Sequence, residues 1–89
     1  GDQRHFAAFR TMAPLGHLQR ALDELNRAGF DLATVQVSRT PQGDPDAEGL
    51  VRIDFHAAGT IAPETYFNRL AGMAGILSVE GGPSEGATP

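Results

Sequence analysis

Few groups in this sequence could carry chemistry. Three histidines (His5, His17 and His56) and three serines (Ser38, Ser78 and Ser84), with no cysteine, supply its imidazoles and nucleophiles. A hydrolytic site needs a nucleophile beside its base, and none of the serines stands in the Gly-x-Ser-x-Gly setting that lifts a side chain out of a strand-to-helix turn. The histidines could converge if the first and third strands are neighbours, but they lack metal-ligand spacing, so no catalytic residue and no metal site is assigned. Asp44, Asp46 and Glu48 crowd one loop, where an acidic cluster is ordinarily just solvated. Asp54 and His56 fall on one face of a strand, as a solvated or interface pair. What remains is electrostatic, at Pro14, Leu15, Gly16 and His17, which open a helix. A helix N-terminus carries unpaired N–H groups and about half a positive charge, so a carboxylate docks there readily, and Gly16 offers no side chain to keep it away. The plainer alternative is that Pro14 and Gly16 turn the chain from strand into helix and water takes the donors.

Composition narrows the partners. Seven cationic residues, all arginine, against eleven acidic ones give a net charge of −4. Nucleic-acid binding draws much of its affinity from neutralising phosphates, so an acidic chain without a basic stripe is not expected to bind it. The absence of cysteine removes disulfides and thiolate chemistry together, and no cofactor is expected. With 40% hydrophobic and 20% charged residues the chain has an ordinary globular composition. No apolar run approaches the roughly 20 residues that span a bilayer, and no signal peptide is visible. The expected compartment is the cytoplasm, with the periplasm, or a soluble domain of a membrane protein, as alternatives.

The elements that would position the helix entrance follow from periodicity. Leu15, Leu18, Leu22 and Leu25 recur at three- and four-residue steps and predict one buried stripe on a helix, closed by Gly29 as a left-handed cap. "FDLATVQVSR" reads as a strand with Ala33, Val35 and Val37 on one face, and "TPQGDPDAEG" as a loop. "LVRIDFHA" alternates strictly, Val51, Ile53, Phe55 and Ala57 against Arg52, Asp54 and His56, and predicts a half-buried strand antiparallel to the one before. Pro63 and Glu64 start a second helix with Tyr66, Phe67, Leu70 and Ala71 as its apolar face. It ends in "GMAG", and residues 76–79 form a short last strand. "HFAAFRTM" alternates as a strand or pairs Phe6 with Phe9 at helical spacing. The strand completes an α+β, ferredoxin-like βαββαβ fold, a four-stranded antiparallel sheet with two helices on one face. Residues 1–81 are expected to form one domain and residues 82–89, rich in Gly and Pro, a disordered tail. The start without Met leads to the expectation of a C-terminal domain from a longer protein.

Within this frame Pro14, Gly16 and Leu18, followed by Gly29-Phe30-Asp31-Leu32, resemble the ACT domain, the small-molecule-sensing regulatory module of amino-acid metabolism. Its signature is Pro-Gly-x-Leu opening a helix, then Gly-hydrophobic-Asn/Asp-hydrophobic entering the next strand. Here Leu15 adds one residue between Pro14 and Gly16. The sequence is also similar to the ACT-like soluble tails of MgtC/SapB membrane proteins. The resemblance implies a non-enzymatic regulatory domain, a small-molecule ligand of amino-acid type, and a homodimer or an attached parent domain. Carried over, the ligand-binding residues would be Leu15, Gly16 and His17, with Ser38 and Arg39 from "SRTP". If residues 5–12 were instead helical, the order helix, strand, strand, helix, strand would resemble the protein-interaction modules of type IV pili and type II secretion, such as PilO.

Overall fold

The computed structural model describes residues 4–39 and 48–84. Its elements run β1 (Arg4–Thr11), α1 (Pro14–Ala28), β2 (Asp31–Arg39), β3 (Gly49–His56), α2 (Pro63–Ala71) and β4 (Ile76–Pro83). The sheet has the order β2-β3-β1-β4 with every pairing antiparallel. Residues 4–11 therefore form a central strand, and the helical alternative for residues 5–12 does not form.

Strand alternation divides the sheet into two faces. Ala7 and Phe9 of β1 and Val51, Ile53 and Phe55 of β3 point to the side covered by both helices and are 0 or 1% exposed. There they join Ala21, Leu25 and Ala28 of α1 and Tyr66 and Leu70 of α2 in one core. Phe30 stacks on Phe55 at 5.3 Å and Tyr66 meets Phe55 edge-on at 5.2 Å, a geometry aromatic quadrupoles favour. The Tyr66 hydroxyl donates to the Ala21 carbonyl at 2.9 Å, which ties α2 to α1. Burial pushes its phenol well above the usual pKa, and the charge of nearby Glu24 adds to this.

Two expectations need correction. The buried stripe of α1 is Pro14, His17, Ala21, Leu25 and Ala28, so that of the four predicted leucines only Leu25 is buried. Leu15 is 69% exposed, and Leu18 and Leu22 only flank the core. Alanines at 21 and 28 let the helix backbone approach closely, and the larger leucines are displaced to its sides. The last strand is also longer than residues 76–79: Gly81, Gly82 and Pro83 pair with Ala7, Phe6 and His5 of β1, and the Ser84 N–H donates to the Arg4 carbonyl at 2.8 Å. A glycine is needed at 81, because a Cβ there would lie 2.6 Å from the Phe67 ring. Proline at 83 is tolerated because β4 is an edge strand. The sheet thus extends beyond the predicted boundary at Gly81, while residues 85–89 lie outside the described residues.

The C-terminus of α1 is as predicted. Gly29 adopts φ +77°, its N–H donates to the Asn26 carbonyl, and the Phe30 N–H reaches back to Leu25.

Candidate functional site

The entrance to α1 is built from the last residue of β1. Thr11 is fully buried, and its Oγ1 accepts the Ala13 N–H at 2.8 Å, which turns the chain out of the strand. The same hydroxyl bonds to Nδ1 of His17, one turn into the helix. On the far side of the ring, Nε2 lies 2.8 Å from the Ala74 carbonyl, in the turn between α2 and β4. A carbonyl can only accept, so Nε2 carries a proton, and in the neutral ring Nδ1 then accepts from Thr11. Gly75, at φ +92°, packs against this ring so closely that a Cβ would fall 2.8 Å from His17 Cε1. His17 is therefore turned inward, with both nitrogens bonded.

The backbone donors can be followed one by one. Ala13 caps the helix without a side-chain bond, Pro14 has no N–H, and the His17 N–H donates to the Ala13 carbonyl at 3.0 Å. Leu15 and Gly16 remain, with no backbone acceptor among the described residues. The first turn of α1 holds no acidic residue, whereas that of α2 holds Glu64. A Cβ at Gly16 would meet nothing within 4 Å, so packing does not demand glycine there. Met12 and Leu15, 46 and 69% exposed, flank these two amides.

Ser38 and Arg39 lie at the exposed end of edge strand β2, opposite Leu50 and Gly49. They line a groove of about 330 Å³ with Arg10, Glu48, Gly49 and Leu50, to which Leu15, Gly16 and His17 do not contribute. Gly49 lies beneath Pro14, where a Cβ would come within 2.7 Å of the proline ring, so both groups share one end of the domain without sharing that groove. Glu48 is held by Arg10 in a two-pronged pair at 2.7 Å, and Asp44 and Asp46 lie outside the described residues.

The three histidines do not converge. His5 stacks on Phe55 on the helix side, His56 points to the opposite face, and His17 sits in α1. Among the described residues no cluster of His, Asp or Glu is arranged to hold a metal ion. Asp54 faces away from the helices as expected, but it is only 5% exposed rather than solvated. Arg52 grips both carboxylate oxygens at 3.1 Å, Thr34 donates from β2 at 3.0 Å and Ser84 from beyond β4 at 3.1 Å. Hydrogen bonding from Arg52, with those from Thr34 and Ser84, holds the Asp54 carboxyl below its ordinary pKa against the opposing effect of burial. The guanidinium also lies 4.3 Å over the Phe6 ring.

No family profile matches the sequence, and no curated protein matches it. Solved structures do match over nearly the whole chain. The C-terminal domain of the MgtC protein from Mycobacterium tuberculosis superposes with a TM-score of 0.71 at 18% identity, over 99% of this chain and 94% of that one. The ACT domain from the GTP pyrophosphokinase of Chlorobium tepidum gives 0.68 at 12% identity, over 91 and 99%. The fold is ACT-like.

A chain in the complex of the chemotaxis kinase CheA P2 domain with the response regulator CheY, from the thermophile Thermotoga maritima, gives 0.66 at 11% identity over 94 and 100%. This ACT-like domain has, among its described residues, no helix long and apolar enough to cross a membrane.

Sequence reasoning missed Thr11, Ala74 and Gly75, the partners that turn His17 inward. One signal was present: a threonine two residues before a backbone N–H that leaves a strand is the pattern of a side-chain-capped turn. The Ala74 bond spans 57 residues and leaves no local trace.

Proposed function

We propose that this ACT-like domain is a non-enzymatic regulatory module of a larger protein, and that it receives a small carboxylate ligand of amino-acid type at the N–H groups of Leu15 and Gly16. The observation that carries this reading is the entrance of α1: two amides with no backbone acceptor among the described residues, no acidic residue in the first turn, and a glycine that packing does not require. Glycine in a helix costs roughly 0.5–1 kcal/mol relative to alanine, so its presence where there is room for a side chain favours a role in approach. Met12 and Leu15 would contact the apolar part of the ligand. Among the described residues no strand pairs with the outer edges of β2 and β4, which supports pairing with a second copy or an attached domain. Ligand would then bias the attached domain by its differential affinity for two arrangements.

Titration of the isotopically labelled domain with amino acids, followed by backbone amide shifts, tests this. Saturable shifts centred on Leu15 and Gly16 are expected, and an unresponsive entrance at millimolar ligand would overturn the ligand site.

A further inference from the structure

Three of the seven arginines, Arg20, Arg27 and Arg69, line one open groove of about 640 Å³ between α1 and α2. Glu24 is the only carboxylate among the described residues that line it, and Ile61 and Met73 supply apolar surface. Glu24 is shared thinly, 3.5 Å from Arg69 and 3.8 Å from Arg27, and among the described residues no carboxylate pairs with Arg20. Three guanidiniums against one carboxylate leave a local positive excess in a chain whose net charge is −4.

We propose that this groove docks an acidic, amphipathic segment of a partner protein, its apolar side chains over Ile61 and Met73 and its carboxylates on Arg20, Arg27 and Arg69. The chemistry favours a peptide over other anions. Guanidinium forks match carboxylates and phosphates alike in two-pronged pairs, so the choice falls to the apolar surface at Ile61 and Met73 and to the backbone groups nearby. Any anion in the groove meets the C-terminal end of α2, at Gly72, where carbonyls and the helix dipole oppose negative charge. The N–H groups of a peptide can donate to those same carbonyls. Glu24 lies where an incoming carboxylate would sit, and so competes with it.

The test uses a fluorescein-labelled peptide of glutamate and leucine at helical spacing, read by anisotropy and by amide shifts of the labelled domain. Saturable binding is expected, with shifts at Arg20, Glu24, Arg69 and Met73, weakening as salt is raised. The double substitution Arg20→Gln with Arg69→Gln should weaken binding about tenfold, equivalent to two modest surface ion pairs. Glu24→Gln should tighten it about threefold, a gain that misfolding cannot mimic. Arg20 and Arg69 are exposed and Glu24 is partly buried, and circular dichroism checks that each variant folds. The proposal is overturned by no binding, by equal binding of a glutamine-for-glutamate peptide, by indifference to these substitutions, or by uptake of inorganic phosphate or phosphatidylserine vesicles in place of the peptide.

Discussion

Replacing His17 by alanine isolates the link between the two halves of the fold. The substitution removes the bond from Thr11 to Nδ1 and the bond from Nε2 to the Ala74 carbonyl. Each such bond contributes about 1 kcal/mol net, and the fully buried Thr11 hydroxyl is left without its acceptor. Loss of the ring that Gly75 packs against adds a cavity term of about 1 kcal/mol. The expected loss is therefore about 3 kcal/mol, a large share of the roughly 5–15 kcal/mol that stabilises an ordinary domain. In a chain of this size each kcal/mol moves the melting temperature by about 4–8 °C, so a fall of roughly 12–24 °C is expected. Urea denaturation should report a lower midpoint with an unchanged slope. A double-mutant cycle with Thr11→Val should return a coupling of about 1 kcal/mol. A total loss below about 0.5 kcal/mol, the range of an ordinary surface substitution, would refute the buried link. So would nuclear magnetic resonance spectra that place the proton on Nδ1.

Two further outcomes follow from neighbouring contacts. Gly75→Ala should cost about 2 kcal/mol or more, from the positive φ and the clash with His17, and the clash component should vanish in the His17→Ala background, which thermal melts of the single and double variants will read. Asp54→Asn should cost about 1–2 kcal/mol at neutral pH by weakening charge-assisted bonds to Arg52. Because the folded state holds the Asp54 pKa below its unfolded value of about 3.9, its contribution is full above that pH and is lost as the pH falls through the folded value. Acid unfolding curves of the variant should lack that component.

Local patterns revealed the architecture because local physics makes it. The alternation of "LVRIDFHA" sends Val51, Ile53 and Phe55 to the core and Arg52 to the other face, and Gly29 ends α1 in the left-handed conformation that favours glycine. Patterns failed where a tertiary contact overrode them. Leu15 lies one helical step from the stripe that docks, and alanines rather than leucines let α1 approach the sheet. Gly81 and Gly82 weaken strand propensity, yet pairing with β1 holds them in β4 and the Phe67 ring makes glycine necessary at 81. At the helix entrance the sequence did not show the direction of His17, because both bonds to its ring depend on how the chain folds back. Asp54 was assigned to the correct face, but its enclosure needed Thr34 from one strand and Ser84 from beyond another.

The inward turn of His17 also ties together two parts of the chain that the sheet does not join. The ring rides on the first turn of α1, and its acceptor, Ala74, stands two residues ahead of β4, an outer strand of the sheet. Positions 57 residues apart along the chain are thereby joined by a single rigid plane of atoms. That plane reaches from the helix entrance to the turn before β4 without passing through the sheet interior. One side chain thus fixes the spacing between the helix entrance and the approach to the outer strand, a spacing that neither segment could set alone.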